Sequence, residues 1–251
     1  MHSPKIVSRE KWLVARKAHL KNEKALTRMR DLVAAERRTL PWVKVDKTYV
    51  FEGPHGKRTL AELFDGRSQL AIYHFMWRWD LDAGCPSCSF LADHFDGANL
   101  HLAHHDVSLV VVSRAPPAKF APYMKRMGWR FNWVSSHGSD FNFDYHVSFT
   151  KDDLAKGSID YNYQTIEDEK YFSDELPGIS VFHKDEKGDV FHTYSSYARG
   201  LDILVGAHNF LDLTPKGRNE KEIMDWVRRH DEYEEAEGAH ACCGTQQAAA
   251  G

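Results

Sequence analysis

Long apolar runs are missing from this sequence. No stretch approaches the roughly 20 apolar residues that a membrane-crossing helix needs, so no membrane partner is expected. A surplus of either charge is missing too. The 33 Lys and Arg stand against 36 Asp and Glu, a formal net charge of −3, which gives no general attraction for nucleic acid or an anionic membrane. Residues 1–17 carry charges throughout and lack the apolar centre of a secretory signal, and the expected location is cytoplasmic. Cysteine is sparse, with four residues in the whole chain. In a reducing compartment, two cysteines lying close together point to catalysis or metal binding rather than to a structural staple. No internal repeat is present.

What is there fits an ordinary folded protein: 42% hydrophobic and 27% charged residues. A chain of 251 residues accommodates one sizeable domain with additions. Charge is unevenly spread, however. Arg16, Lys17, Lys21, Lys24, Arg28 and Arg30 crowd the first forty residues, while the stretch from Asp231 to Glu237 is acidic. The basic region is read as a solvated helix face; a docking surface for an acidic partner or a second subunit is the alternative, so a homo-oligomer stays open. Ser8 is placed to cap a helix, and Trp12, Ala15, Leu26, Met29 and Val33 recur at helical spacing in a thin stripe. Pro41 stops it, then Val43, Val45, Tyr49 and Phe51 alternate as a strand or hairpin arm before the turn Gly53-Pro54-His55-Gly56. These parts, 1–58, form an N-terminal helix and hairpin extension.

The main domain is expected over 59–213. A nearly continuous apolar run from Gln69 to Trp77 reads as a central strand covered on both faces. A loop, a helix beginning at Pro86 with a disturbance at Gly97, and the apolar strand Val107 to Val112 complete a β-α-β unit whose strands run parallel. Phe120, Tyr123, Met124 and Met127 form the next helical face. The stretch 129–175 is rich in aromatics and irregular in pattern, and is read as an insertion. Ile179, Val181 and Phe182, then Val190, Phe191 and Tyr194 form an antiparallel hairpin about Lys187-Gly188-Asp189, and Leu201 to Leu211 a closing helix. Residues 214–251 supply a short amphipathic helix (Ile223, Trp226, Val227) and a small-residue tail. The fold class is α/β: a three-layer sandwich about a central mixed sheet.

Chemistry concentrates at Cys85-Pro86-Ser87-Cys88. A C-x-x-C pair that follows a buried strand and opens a helix is a redox signal. Thiolate, not thiol, attacks a disulfide, and the unpaired N–H groups of a helix start favour it. Pro86 falls in the first turn, where its missing N–H costs nothing. Cys85 is therefore the expected nucleophile and Cys88, one turn on, the resolving thiol. Asp80 and Asp82 oppose a thiolate and Arg78 assists it. Trp77 and Trp79, with Pro86 and Ser87, are candidates to wall a substrate site.

This order of strand, Cys85-Pro86-Ser87-Cys88, helix, strand and helix, followed by a Pro-led hairpin and a last helix, resembles the thioredoxin superfamily. The resemblance implies that Pro177, in Glu175-Leu176-Pro177-Gly178-Ile179, is a cis-proline presenting backbone to a bound disulfide. Gly84-Cys85-Pro86-Ser87-Cys88-Ser89-Phe90, Val112-Ser113-Arg114-Ala115-Pro116, Met127-Gly128-Trp129, Tyr161-Asn162-Tyr163, Val190-Phe191-His192-Thr193-Tyr194 and Asp212-Leu213-Thr214-Pro215 are similar to a bacterial thioredoxin-like family, domain of unknown function 899. The likeness spans most of the chain and implies a fold and a redox role, but no substrate. Two departures from other relatives count: the dipeptide is Pro-Ser rather than the Gly-Pro of thioredoxins, and Asp82 stands where peroxiredoxins carry Thr or Ser, which weakens a peroxidase reading.

The function expected is thiol–disulfide exchange on a protein or small-molecule disulfide, with a thiol reductant as second partner and no organic cofactor. Two alternatives use the same cysteines without turnover. One is a redox sensor. The other is a zinc site, in which Cys85 and Cys88 are joined by His240, Cys242 and Cys243. His94, His101, His104 and His105 are read as helix-surface histidines, and His74 as a core histidine with proton exchange toward Cys88 as the sharper possibility. Asn142, Asp144, Asn162 and Tyr163 are candidates for a substrate groove.

Overall fold

The computed structural model describes residues 4–171 and 173–233. The described residues form two units, divided after Val43. In the first, the helix Arg9–Arg37 starts where Ser8, in extended backbone, accepts the Lys11 N–H at 3.4 Å. Glu10 lies in its first turn and Arg37 in its last, the arrangement that complements the helix dipole. None of its residues is buried.

The second unit is built on a mixed sheet. Its strands run in the order Val190–Tyr197, Gly178–Lys184, Gln69–His74, Val107–Ser113, Asn132–Ser135, Val50–Gly53 and Gly56–Thr59. Gln69–His74 is central: parallel to Val107–Ser113 on one side and antiparallel to Gly178–Lys184 on the other. Its side chains alternate across the sheet. Leu70 and Ile72 pack with Leu63, Phe64 and Phe141, beneath the short helices Ala61–Phe64 and Phe141–Asp144. Tyr73 packs on the opposite face with Cys88, Phe90, Phe120 and Tyr123, beneath the helices Pro86–Ala92 and Pro117–Arg126. Two apolar faces covered by helices make the three layers of a thioredoxin-like sandwich. Each large side chain so buried contributes roughly 1.5–3 kcal/mol.

Several elements differ from the sequence pattern, for local reasons. The helix after Pro86 breaks at Asp93 and His94, before Gly97, and resumes as Phe95–His104. There the His94 ring donates from Nδ1 to the Phe90 carbonyl at 2.9 Å and accepts the Ala207 N–H on Nε2 at 3.0 Å. The aromatic stretch after Met127 supplies the sheet strand Asn132–Ser135, parallel to Val107–Ser113, and Trp129, Phe131 and Trp133 fill the core on the cysteine face. These three alternate with Arg130, Asn132 and Val134, a period-2 pattern at the start of the stretch read as an insertion. A separate hairpin, Ile159–Tyr161 with Gln164–Ile166, turns on Asn162 and Tyr163, both in left-handed backbone at φ 54° and 61°. The closing helix is two pieces, Ala198–Leu204 and Gly206–Leu211. The amphipathic helix expected about Ile223 is instead a run of turns, since Met224 sits at φ 61°, which a right-handed helix does not allow. The expected tail, including His240, Cys242 and Cys243, lies outside the described residues. No helix of the described chain is long and apolar enough to cross a membrane.

Candidate active site

The strand Gln69–His74 delivers the chain to the site. Beyond it, Phe75 still donates to the Val112 carbonyl at 2.8 Å, and the loop then returns so that the Cys85 N–H meets the Met76 carbonyl at 3.2 Å. Gly84 makes that return possible. A Cβ there would stand 2.7 Å from Phe75 Cε1 and 3.1 Å from Trp77 Cε3, so any side chain would displace the backbone from the ring surface. Cys85 caps the helix Pro86–Ala92 with Pro86 in its first turn. Its carbonyl accepts the Ser89 N–H at 3.0 Å and the Ser89 hydroxyl at 2.8 Å.

The two sulfurs are free thiols in unlike surroundings. Cys85 is half-buried and Cys88 buried. A hydrogen bond from the Cys88 thiol draws the Cys85 thiol below its ordinary value, burial opposes this, and the Cys88 and Ser87 N–H groups and the Arg229 charge assist. Cys88 moves the other way, chiefly through burial and then through its bond to Cys85. The Tyr73 hydroxyl hydrogen-bonds the Cys88 sulfur, and the Met76 N–H points at it from 3.5 Å. A lowered outer thiol beside a raised inner one is the asymmetry that sequential disulfide exchange uses.

A cavity of about 210 Å³ opens at Cys88, and Cys85 is not among the residues that line it. Tyr73, Ser87, Cys88 and Pro177 line it, together with apolar side chains such as Leu201 and Met224. A second cavity, of about 540 Å³, shares Pro177, Ala198 and Ile223 with the first. Pro177 thus lies near the dithiol, but as a trans residue: no peptide bond among the described residues is cis. Leu176 N–H donates to the Val147 carbonyl at 3.0 Å and the Tyr161 hydroxyl to the Pro177 carbonyl at 2.6 Å, anchoring the chain on both sides of the expected cis bond. Pro86 is partly exposed at the helix start.

The two tryptophans part company. Trp77 is only 1% exposed, its ring against Tyr123 and Trp133 and its indole N–H on the Leu81 carbonyl at 3.1 Å; it presents no surface to a substrate. Trp79 is 50% exposed, tilted toward His137. Neither lines the cavity at Cys88. The local charges also sort themselves. Arg78 is held by Asp80, at 2.8 Å, and by Asp174, while the Asp82 side chain is in solvent. The cation beside Cys85 is instead Arg229, which donates to the Gly84 carbonyl at 2.7 Å from 145 residues along the chain. Sequence inspection missed it, because nothing local marks an arginine that reaches the site through tertiary folding. Tyr73 and Tyr123 carry no sequence mark that sets them apart from other core aromatics.

His74 points away. It neighbours Tyr73 on one strand, so it faces the other side of the sheet, stacked on Phe141 and 2.9 Å from the Ser180 hydroxyl. Proton exchange with Cys88 is ruled out by the sheet between them. Asn142 and Asp144 belong to that far side, bonded to Ser136 and to Lys47 and Tyr49. Asn162 lines the larger cavity, whereas the Tyr163 hydroxyl donates to the Ser195 carbonyl at 3.1 Å. His101, His104 and His105 are exposed. Among the described residues, no three His, Cys, Asp or Glu side chains gather as a metal site. Glu175 is a buried carboxyl that the sequence pattern did not mark, pushed up to about 8 chiefly by desolvation.

Fold and site together define a thioredoxin-like protein with a free dithiol at the start of a helix. The chain belongs to the family described as bacterial protein of unknown function (DUF899), whose model matches residues 1–233. No curated protein matches it. Among solved structures it is similar to peroxidoxin BcpB from Mycobacterium tuberculosis, at 15% identity, a TM-score of 0.41, and coverage of 66% of this chain and 93% of that one. Peroxiredoxin Q from Xanthomonas campestris is 13% identical with a TM-score of 0.40, covering 63% of this chain and 87% of its own. A thiol:disulfide interchange protein from a Bacteroides species is 14% identical with a TM-score of 0.38, covering 71% and 95% respectively.

Proposed function

We propose that this protein is a thiol–disulfide oxidoreductase that works through Cys85 and Cys88. The observation that carries the proposal is their asymmetry: a half-buried cysteine whose sulfur receives hydrogen bonds at a helix start, and a fully buried one bonded to it a turn further on. In the reducing direction the Cys85 thiolate attacks one sulfur of a substrate disulfide and releases the other as a thiolate. Cys88 then loses its proton and attacks the Cys85 sulfur. The Cys85–Cys88 disulfide forms and the second substrate thiol leaves, so two electrons pass from the dithiol to the substrate. A thiol reductant restores the pair. Redox equivalents stay on sulfur, and the chemistry needs no organic cofactor. Ser87 and Pro177, on the wall of the apolar cavity, are assigned contact with the flank of the substrate, and Pro86 fixes the helix start.

Paired serine variants test this. Cys85→Ser is expected to abolish reduction of an insulin-type disulfide by a thiol reductant. Cys88→Ser is expected to leave the first step intact and accumulate a mixed disulfide on Cys85, which mass spectrometry identifies. Equal activity in the two variants overturns the assignment. A redox-dependent change of oligomer mass in a wild-type protein that shows no turnover points to a sensor instead.

A further inference from the structure

Arg229 lies far from the C-x-x-C motif in sequence, yet its guanidinium is built into the nucleophile's backbone. Nη2 donates to the Gly84 carbonyl at 2.7 Å. Nε donates to the Tyr123 hydroxyl at 3.0 Å. That hydroxyl is 2.8 Å from Ser89 Oγ, which in turn donates to the Cys85 carbonyl at 2.8 Å. Since Ser89 spends its proton on Cys85 and Tyr123 accepts from Arg229, the Tyr123 proton goes to Ser89. The chain of donors therefore runs one way, from Arg229 to Cys85. One planar fork thus holds the carbonyls of residues 84 and 85, the first directly and the second through two hydroxyls.

The segment that carries Arg229 is held independently. Trp226 packs edge-on against Phe90 at 5.5 Å, Val227 is buried, and His230 Nδ1 stands 2.7 Å from the Asp93 carboxylate. Asp231 and Glu232 take Arg126 at 2.6 and 3.1 Å, and Glu232 also accepts Arg229 Nη1 at 2.8 Å. The segment therefore crosses the helix Pro86–Ala92 near both ends.

Resting on the disulfide-exchange reading, we propose that Arg229 is a positioning residue for Cys85: it fixes the peptide units that bracket the attacking sulfur and sets a full positive charge beside them. The groups that face Cys85 are Cys88, Tyr73 and Arg229. Those that face Arg229 are Tyr123 and Glu232, with Arg126 over the Tyr123 ring at 5.7 Å. Glu232 partly offsets the charge, but it is bound on the far guanidinium nitrogen and shared with Arg126. Arg229 is also among the causes that hold the Cys85 thiol low.

The test is the pH dependence of Cys85 alkylation by iodoacetamide in the reduced full-length chain, followed on the Cys85 peptide by mass spectrometry so that other cysteines do not contribute. Arg229→Ala is expected to raise the midpoint by roughly half a pH unit or more, which slows alkylation about threefold at pH 6.5. Arg229→Lys retains the charge and is expected to recover most of the shift, an outcome that a purely structural role does not give. If Arg229→Ala fails to fold by circular dichroism, Arg229→Gln supplies the same comparison. Coincident midpoints for wild type and the uncharged variant overturn the proposal, as does an equal shift in Arg229→Lys. A wild-type midpoint at the ordinary thiol value overturns the choice of Cys85 as the activated sulfur, and is distinguishable from both.

Discussion

The two faces of the central sheet bury polar groups to opposite ends. On one face Cys88 lies under Tyr73 while Cys85 is half-buried, with backbone donors and Arg229 around it. On the other, His74 begins a closed relay: its Nε2 is 2.9 Å from Ser180 Oγ, Ser180 is 2.8 Å from Ser195 Oγ, and Ser195 is 2.8 Å from His192 Nε2. His74 is 1% exposed, and burial pushes its pKa down to about 3. Burial alone therefore does not make a reactive site. What separates the faces is that the cysteine side adds a cavity, a half-buried thiol and a nearby cation, whereas the histidine side ties one ring nitrogen to Ser180, leaves Nδ1 without a partner among the described residues, and keeps the ring neutral by burial.

The strongest way to break this contrast is Gly84→Ala. The added methyl group meets Phe75 at 2.7 Å and Trp77 at 3.1 Å, contacts that cost about 1–3 kcal/mol when a core must make room. The strain falls on the loop that presents Cys85 and on the carbonyl held by Arg229. Loss of most disulfide turnover is expected, together with a lower denaturant midpoint at unchanged slope. Full activity in this variant would show that the close backbone approach is unimportant to the site.

His74→Phe probes the other face. Its folded pKa is depressed below the unfolded value near 6.5, so between pH 6.5 and 3 the unfolded chain binds more protons and stability falls as pH falls. Below pH 6.5 this one ring removes stability at about 1.4 kcal/mol per pH unit. Phenylalanine keeps the stack on Phe141 and Tyr145 but does not titrate. The variant is expected to lose about 2 kcal/mol less than wild type between pH 6.5 and pH 5 in denaturant titrations, with turnover unchanged. A parallel acid limb in the two proteins contradicts the buried, neutral assignment.

Much of this was legible from residues alone, and the failures have physical causes. Gln69 to Trp77 announced a central strand because both its faces are apolar, though the strand itself ends at His74, and Cys85-Pro86-Ser87-Cys88 announced a helix start through Pro86. The break at Asp93 was invisible, since it depends on His94 meeting Ala207, 113 residues away. Trp77 and Trp79 look alike in sequence, yet one closes the core and the other lies in solvent. The trans state of Pro177 goes against a positional analogy, and Arg229 is a tertiary neighbour that no local pattern signals.

The smallest effect expected is also the sharpest discriminator. Tyr73 and His74 are consecutive, and the strand sends one to each face. Tyr73→Phe removes the hydroxyl bonded to the Cys88 sulfur while keeping the ring against Phe75 and Phe95. Once Cys88 deprotonates, that hydroxyl donates to a thiolate, and a hydrogen bond to a charged group is worth about 1.5–3 kcal/mol. Some of this is recovered by the Met76 N–H at the same sulfur. Resolution of the mixed disulfide is therefore expected to slow by roughly threefold to tenfold, with the first step and the acid limb of stability unmoved. Stopped-flow measurement of the two steps, set beside His74→Phe, yields opposite signatures from adjacent residues. If Tyr73→Phe slows the first step instead, the inner sulfur is not the one that Tyr73 serves.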